Sequence, residues 1–181
     1  MRLFTGIALD EDLQRALASQ VNPLRSAFPD LRWSLLRQWH VTLQFLGNTD
    51  DAHYACIVQH LRLVRAPAVE LSLLSPDFFE NAGIFHVAVE PGASLLQLHG
   101  KTQEALAGCG FKPEARPYSP HITLARRKGR GRSADFETLK MHVKERRWRL
   151  PSVCAREFLL YESFTEAAGP RYVVRERFPL M

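Results

Sequence analysis

The chain has 181 residues, of which 46% are hydrophobic and 24% are charged. This is enough for one compact domain with its own core, or for two small lobes that share one. No apolar run approaches the roughly 20 residues needed to cross a bilayer, and no secretory cleavage signal follows the first apolar run. The sequence therefore predicts a cytoplasmic protein that is not embedded in a membrane.

The net charge of +5 is concentrated in one segment. Residues 126–149 contain ten Lys or Arg against three Asp or Glu, whereas the rest of the chain is slightly acidic. A localised positive patch favours a polyanionic partner such as nucleic acid, although a solvated helix face gives the same pattern.

The first third of the chain alternates strand and helix patterns. Residues 3–9 form a short apolar run, and Asp10 then stands where a helix N-cap is expected, before leucines at helical spacing over 11–27. Residues 39–47 are rich in β-branched and aromatic side chains and predict a strand. A second helix is expected over about 50–65.

The later elements follow the same signals. We predict strands at 68–75, 84–90, 120–126, 155–164 and 171–180, a helix that Ser94 caps and Gly108 ends, and a helix over 134–145. No strand–helix–strand unit carries a glycine-rich phosphate fingerprint, which disfavours a dinucleotide-binding fold. An α+β fold with largely antiparallel sheets fits this order better.

One four-residue string, His-x-Thr-Leu, occurs twice, at 40–43 and at 121–124. Each copy lies in a predicted strand that follows a long helix, which indicates an internal duplication. We therefore expect a single bilobal domain over residues 1–181, with one motif in each half and a cleft between the lobes.

The repeated string suits chemistry at phosphorus. Alternate side chains of a strand share a face, so His40 projects with Thr42, and His121 projects with Thr123. Two imidazoles can exchange protons near neutral pH, one as a base and one as an acid, and two hydroxyls can hold oxygens of a phosphate. No metal or other cofactor is expected, because two histidines alone are too few ligands for a metal site.

A structural explanation stays open, because a single histidine in a strand is often only a hydrogen-bonded structural residue. The other histidines have no companion motif, and only His86, in a predicted strand, is worth reconsidering. The three cysteines, Cys56, Cys109 and Cys154, are scattered and odd in number. That pattern predicts buried free thiols rather than a disulfide or a zinc site.

The stretches "WHVTLQFLG" and "RPYSPHITLAR" resemble the paired signatures of the two-histidine (2H) phosphoesterases. Within that family they resemble the RNA 2′,3′-cyclic phosphodiesterases that are also called 2′-5′ RNA ligases. The match runs to Gly47 in the first stretch and from Arg116 to Arg126 in the second. The opening "RLFTGIALDEDL" also resembles the family's first strand and helix.

The resemblance implies a bilobal α+β fold with a pseudo-twofold duplication, an active cleft between the lobes and no cofactor. It implies that His40 is the proton donor to a departing ribose O3′ and that His121 is the acceptor that activates water. Thr42, Thr123 and Arg126 would bind the phosphate. The donor and acceptor roles rest on the resemblance alone, because the spacing does not distinguish the two imidazoles.

Strand parity raises a question about Arg126. Simple alternation points it away from His121 and points Arg127 towards it, so either a bulge intervenes or Arg127 takes part. The same alternation assigns Phe45 to the core.

Aromatic residues near the second motif are candidates for stacking a base. The resemblance implies an aromatic wall that includes Phe79 and Phe85, although a core role is also open for each. Many relatives have an arginine before the strand at 84–90, where this chain has "NAG" at 81–83. A substrate contact found in relatives is therefore in question here.

The predicted function is metal-independent hydrolysis of an RNA-terminal or nucleoside 2′,3′-cyclic phosphate to a 2′-phosphate. We expect a monomer, with RNA or a small cyclic nucleotide as partner and a basic segment that guides the RNA backbone. Two alternatives stay open: 2′-5′ RNA ligase or 2′-5′ phosphodiesterase activity, and a non-catalytic module that binds RNA ends.

Overall fold

The computed structural model describes residues 1–129, 133–144, 146, 148–166 and 169–181. These residues form ten strands, four α-helices and a short 3₁₀ turn at Leu36–Gln38. In chain order the elements are β1 (Arg2–Ala8), α1 (Glu11–Ala27), β2 (Arg32–Trp33), β3 (His40–Asn48), α2 (Asp51–Leu61), β4 (Val69–Leu71), β5 (Leu73–Phe79), β6 (Ile84–Val89), α3 (Ala93–Ala107), β7 (His121–Arg126), α4 (Ala134–Val143), β8 (Val153–Ala155), β9 (Glu157–Glu166) and β10 (Gly169–Pro179).

Side-chain caps begin three of the four described helices. Asp10 accepts a hydrogen bond from the backbone N–H of Leu13 at 2.8 Å, and Asp50 and Ser133 cap α2 and α4 in the same way. Each cap satisfies a donor that a helix start otherwise leaves free. The predicted cap at Ser94 is wrong, because α3 begins at Ala93 after Gly92 and has no side-chain cap.

Two four-stranded antiparallel sheets carry the fold. The first sheet has the order β10-β9-β1-β3, the second has the order β2-β7-β6-β5, and β4 pairs with β8 in a small third sheet. The predicted α+β class with largely antiparallel sheets is confirmed. One hydrophobic core runs through both four-stranded sheets, since it includes Ile7 and Leu160 of the first and Phe85 and Ile122 of the second.

The lobes are not simply the two halves of the sequence. The first sheet joins the N-terminal strands β1 and β3 to the C-terminal hairpin β9–β10, whereas the second sheet uses β2 and the middle of the chain. The single strand expected at 68–75 is in fact two strands, β4 and β5, which belong to different sheets. The hydrophobic pattern of the sequence does not show that β4 and β5 belong to different sheets, because each has the residue types of an ordinary strand.

The cysteine prediction is wrong. Cys56 in α2 and Cys109 just after α3 form a disulfide that joins Cα atoms 5.9 Å apart, and Cys154 is an exposed free thiol. The two bonded cysteines are 53 residues apart in sequence, so nothing local signals the pairing. Within the part of the chain that the structure describes, no helix is long and apolar enough to cross a membrane.

Gly6 in β1 allows β1 and β3 to approach closely at the first motif. A Cβ atom added at this position would lie 2.8 Å from the carbonyl oxygen of Val41 and 3.5 Å from Cδ2 of His40. The first distance is shorter than Cβ contacts in real proteins. The contacting atom belongs to the backbone, so it cannot move away by a change of rotamer. Gly6 therefore sets how closely His40 sits against β1.

We expect Gly6→Ala to destabilise the protein by about 1–3 kcal/mol, because the added methyl overpacks a backbone contact. Urea denaturation measures this change as a lower free energy of unfolding. The matched control is Gly100→Ala in α3, where an added Cβ has nothing within 4 Å and should stabilise the helix by up to about 1 kcal/mol. Equal effects at the two positions would contradict the close approach at Gly6.

Candidate active site

A β-bulge at Leu43, the last residue of the first motif, reverses the alternation of β3. Gly6 pairs with Thr42 and Thr5 pairs with Gln44, so Leu43 has no partner on β1. Side chains beyond the bulge exchange faces. Phe45 therefore lies on the same face as His40 and Thr42, where 64% of its surface is exposed, and the prediction that Phe45 packs in the core is wrong.

The second motif has the same bulge at the same position. In the pairing of β6 with β7, His86 lies opposite Thr123 and Phe85 lies opposite Ala125, so Leu124 has no partner. Arg126 therefore shares a face with His121 and Thr123, which removes the objection from strand parity. We call the face that carries His40 or His121 the histidine face of its sheet.

Both histidines are held by the same hydrogen bond. Nδ1 of His40 lies 2.6 Å from the carbonyl oxygen of Gln38, and Nδ1 of His121 lies 2.8 Å from the carbonyl oxygen of Ser119, in each case two residues earlier. A carbonyl oxygen can only accept, so Nδ1 carries the proton in both rings. Nε2 of each imidazole is left as the atom that can gain or lose a proton.

Three aromatic rings surround His40. Its ring centroid lies 4.8 Å from that of Phe4, 5.2 Å from Tyr172 and 5.7 Å from Tyr161. Burial lowers the pKa of His40 to about 4, against a raising effect of the Gln38 carbonyl, and positive charge on His121 and Arg126 lowers it further. In the free protein His40 is neutral at pH 7, and Nε2 lies 3.1 Å from the hydroxyl oxygen of Thr42.

His121 has an aromatic neighbourhood of its own. Phe79 approaches it edge-on at 4.8 Å, and the ring of His86 lies 5.1 Å away. Burial lowers the pKa of His121, the Ser119 carbonyl opposes this, and Arg126 lowers the pKa again. Arg126 thus acts electrostatically on both histidines, as expected if all three groups border one space, which we call the cleft.

A hydrogen bond links the two motifs directly. Tyr118, which belongs to the second signature, donates its hydroxyl proton to the carbonyl oxygen of Thr42 in the first at 2.9 Å. Its ring stacks on His99 of α3, with centroids 3.8 Å apart and planes 9° apart. Burial raises the pKa of Tyr118, so the hydroxyl stays protonated and remains a donor.

The two arginines after the second motif have different surroundings. The guanidinium of Arg127 donates to the carbonyl oxygen of Asn81 at 3.3 Å, and its side chain lies where a Cβ on Gly83 would be. Gly83 has a φ of +61°, a conformation that glycine adopts without strain. Arg127 therefore braces the turn between β5 and β6, and Arg126 is the arginine that faces the histidines.

The two residues that were predicted to stack on a base differ in their burial. Phe85 is fully buried against Phe78, Trp33 and Trp148, so its ring has no face for a base and that prediction is wrong. Phe79 lies half-buried on the histidine face, stacked on His86 at 4.0 Å, and its role in base stacking stays a prediction.

Several residues around the histidines were missed from the sequence. They are Phe4, Tyr118, Tyr161 and Tyr172. Parity within each strand could have shown which faces these rings share, but not that the C-terminal hairpin pairs with β1 and so lies beside His40. For His86 the sequence offered no specific role. The residue is 98% buried, since its exposed fraction is 2%, and neither of its ring nitrogens has a hydrogen-bond partner among the described residues.

One cluster of metal-ligand residue types occurs elsewhere. Cys56, His60 and Cys109 bring their ligand atoms within 4.8 Å of one another. The two sulfurs are bonded to each other, and a metal ligand would need free thiolates. The cluster lies at α2 and the end of α3, and none of its three residues belongs to a motif strand.

The arrangement can perform proton transfer around a phosphate. Two neutral imidazoles present Nε2, each beside a threonine on the same strand face, and an arginine acts on both. Such a set can take a proton from one oxygen and deliver one to another while hydroxyl and guanidinium donors hold the remaining oxygens.

A family model for the 2′-5′ RNA ligase superfamily matches residues 13–157 of this chain. The match includes both motifs, their bulges and Tyr118. The chain belongs to this superfamily. The resemblance found in the two motifs is thereby confirmed at the level of family.

Curated members of the superfamily resemble the chain over most of its length. An RNA 2′,3′-cyclic phosphodiesterase of Geobacillus stearothermophilus is 28% identical over 98% of this chain, but the match spans only 57% of that relative. One from Methanothermobacter thermautotrophicus is 27% identical over 99% of both chains. One from Thermus thermophilus is 28% identical over 99% of this chain and 90% of its own.

Solved structures share the fold. E. coli LigT complexed with 3′-AMP superposes with a TM-score of 0.77 at 24% identity, covering 99% of this chain and 97% of that one. The protein TT0787 of Thermus thermophilus gives a TM-score of 0.76 at 24% identity, with the same coverage. These superpositions show that the chain shares its fold with both structures.

His86 should make stability depend on pH. Burial, then the neighbouring charge of His121, lowers its pKa to about 4, while Asp77 opposes this. Between pH 6.5 and 4, His86 is therefore protonated in the unfolded chain but neutral in the folded protein. The free energy of unfolding consequently falls as the pH falls. We expect His86→Phe to reduce this loss by up to about 3 kcal/mol.

Urea denaturation of both proteins at pH 7 and at pH 4.5 measures the difference. His142→Gln, which changes an exposed histidine of α4, is the control and should follow the wild type. A His86→Phe protein that loses as much stability as the wild type on acidification would show that His86 is not held neutral.

Proposed function

We propose that the chain hydrolyses RNA-terminal or nucleoside 2′,3′-cyclic phosphates and leaves a 2′-phosphate. The observation that carries the proposal is the matched pair of imidazoles, each with Nδ1 fixed on a backbone carbonyl and each followed by a threonine on the same strand face. Proton transfer to and from the ribose and water oxygens then needs only the side chains of this site.

In the proposed reaction, Nε2 of His121 takes a proton from water while the water oxygen attacks phosphorus. The bond between phosphorus and O3′ breaks, and Nε2 of His40 gives its proton to O3′. The phosphate stays on O2′. Thr42, Thr123 and Arg126 hold the non-bridging oxygens as negative charge develops on them.

The free protein does not hold the proton that this reaction requires on His40, whose pKa is about 4. A bound cyclic phosphate carries a negative charge, and an opposite charge nearby favours the protonated imidazole. Binding of the negatively charged substrate therefore favours the protonated form of His40, the proposed donor. The lowered pKa of His40 in the free protein does not identify it as the proton donor. That assignment rests on family resemblance.

The names of the curated relatives support a cyclic phosphodiesterase over the alternatives. Seven matching curated proteins bear the name RNA 2′,3′-cyclic phosphodiesterase. The retention of two complete His-Thr pairs also favours catalysis, because a module that only bound RNA ends could dispense with one imidazole. Ligation or cleavage of 2′-5′ linkages remains the alternative within the same chemistry.

The wider setting is proposed in the same terms. We propose one bilobal domain over residues 1–181, with one motif per lobe, acting as a cytoplasmic monomer on RNA ends or small cyclic nucleotides. Only some of the basic side chains at 126–149 would be available to bind RNA, because others pair with acidic residues. Lys140 is paired with Glu80 at 2.6 Å and Glu137 at 3.5 Å.

We expect His40→Ala and His121→Ala each to lower kcat by at least about 10²-fold, because each removes a proton-transfer group. The assay follows hydrolysis of adenosine 2′,3′-cyclic phosphate, with and without EDTA, and identifies the monophosphate isomer by chromatography. The expected product is adenosine 2′-phosphate, at the same rate with the chelator.

The control is His53→Ala, which changes an exposed histidine of α2 and should leave kcat unaltered. Circular dichroism shows whether the inactive variants keep their fold. Turnover near the wild-type rate in either folded motif variant would reject the acid–base pair, and inhibition by EDTA would reject its independence from metal.

Arg126 and Arg127 offer a matched comparison of adjacent arginines. We expect Arg126→Gln to lower kcat/KM by about 10- to 10³-fold through loss of a phosphate contact, and Arg127→Gln to change it less than about threefold, because its guanidinium lies on Asn81. Steady-state kinetics on the same cyclic nucleotide measures both. A larger loss of kcat/KM for Arg127→Gln than for Arg126→Gln would show that Arg127, and not Arg126, contacts the phosphate.

A further inference from the structure

The disulfide between α2 and the end of α3 has a histidine at its side. Nδ1 of His60 lies 3.5 Å from Sγ of Cys56 and 3.3 Å from Sγ of Cys109. A sulfur and a nitrogen that bind one tetrahedral zinc ion, at about 2.3 Å and about 2.0–2.1 Å from the metal, are about 3.5 Å apart. Both contacts of His60 therefore already have the separation that two ligands of one zinc ion need.

Two of the three residues share one face of a helix. Cys56 and His60 are four positions apart in α2, and side chains at this spacing lie one above the other. Cys109 reaches them from the turn that follows α3. Gly108 leaves room for the ring, because a Cβ atom there would lie 2.8 Å from Nε2 of His60. The imidazole is thus packed against the end of α3, where Cys109 lies.

Reduction of the disulfide turns this cluster into a set of metal ligands. The bond holds the two sulfurs closer than the separation of about 3.8 Å that tetrahedral coordination requires, and reduction frees them to move apart. Two thiolates and one imidazole are ligand types that zinc binds well. Cys56 and His60 are half-buried, which leaves the fourth position of a tetrahedral ion open to water.

His60 must free its Nδ1 atom to bind a metal. In the oxidised protein the Nδ1–H group donates to the carbonyl oxygen of Cys56 at 2.9 Å. A neutral imidazole can carry its proton on Nε2 instead, which leaves Nδ1 as a ligand atom. The carbonyl keeps a partner, because inside a helix it also accepts the backbone N–H of the fourth residue after it. The rearrangement therefore leaves no unsatisfied acceptor at this position.

The cytoplasm proposed above is a setting in which the bond would open. Glutathione and thioredoxin keep cytosolic thiols reduced, and paired cysteines there are typical of a metal or catalytic site rather than of a stable disulfide. Opening the bond removes the covalent link between α2 and the end of α3. An ion bound by all three residues would join the same two places again.

We propose that Cys56, His60 and Cys109 bind one Zn²⁺ ion when their disulfide is reduced, so that a bond in the oxidised protein and a metal in the reduced protein join α2 to the end of α3. A dithiol reductant first gives two electrons and two protons to the sulfurs and becomes a disulfide itself. Zinc then displaces the two thiol protons, and the imidazole proton moves to Nε2. This site is separate from the catalytic pair and goes beyond the function proposed above.

Titration of the reduced protein with metal tests the site. Dithiothreitol reduces the protein and is removed by gel filtration without oxygen, and Co²⁺ is then added as a spectroscopic probe before Zn²⁺ displaces it. One Co²⁺ per chain should give the visible bands of tetrahedral coordination together with thiolate charge transfer, and the oxidised protein should give neither. His60→Gln, which keeps both cysteines, should raise the Kd of Zn²⁺ by at least about 10-fold, the least that loss of a ligand's hydrogen-bond partner typically costs.

Two control variants identify the ligands. Cys154→Ser removes the exposed free thiol and should leave the Kd of Zn²⁺ unchanged. A double variant with His40→Ala and His121→Ala lacks the imidazoles of both motifs and should also bind Zn²⁺ as the wild type does. In the reduced wild type, Zn²⁺ should protect Cys56 and Cys109 from alkylation by iodoacetamide but leave Cys154 reactive, which mass spectrometry of the peptides measures.

Thermal melts followed by circular dichroism show whether the metal replaces the disulfide as a link. Zn²⁺ should raise the Tm of the reduced protein and leave the Tm of the oxidised protein unchanged. Absence of Zn²⁺ binding, equal binding by His60→Gln, or a reduced chain that unfolds and stays unfolded with Zn²⁺ would overturn the site. Loss of binding in the double variant would also overturn it, because the metal would then lie at the motif histidines.

Discussion

The site depends on the hydrogen bond from Tyr118 to the carbonyl oxygen of Thr42. The two motifs come from different sheets, and this bond joins the loop that enters β7 to the middle of β3. Because the ring of Tyr118 is itself stacked on His99 of α3, this contact helps to hold β3 and β7 at a constant distance. Two imidazoles can share one phosphate only if that distance is constant, since proton transfer needs contacts of about 2.6–3.2 Å.

The two motifs resemble each other in their backbone geometry as well as in their sequence. Outside the motifs the halves show little similarity, yet both repeat the Nδ1 bond to a carbonyl two residues earlier and the bulge at the motif leucine. These two features fix the free nitrogen of each imidazole and the side of the strand on which the fifth residue projects. At that position the two motifs differ, with a charge at Arg126 and an aromatic ring at Phe45.

Sequence reasoning reached the fold class and most element positions because hydrophobic periodicity and caps such as Asp10 are local signals. The two histidines were predicted together because their motif is local, and their roles stay a prediction. Sequence reasoning failed where the decisive contact is distant in sequence: the disulfide of Cys56 with Cys109, the burial of Phe85 and the enclosure of His40 by Tyr161 and Tyr172. Strand parity failed at Phe45 because a bulge is a property of two paired strands, and one strand read alone does not reveal it.

The return of β9 and β10 to the first sheet has a consequence for how the protein is made. β1 lies between β3 and β9, so its second edge stays unpaired until β9, much later in the chain, has been synthesised. Until then His40 lacks the rings of Tyr161 and Tyr172, which lie beside it in the folded protein. A chain still under synthesis, at roughly 5–20 residues per second, therefore lacks two of the four strands of the first sheet until β9 and β10 are complete.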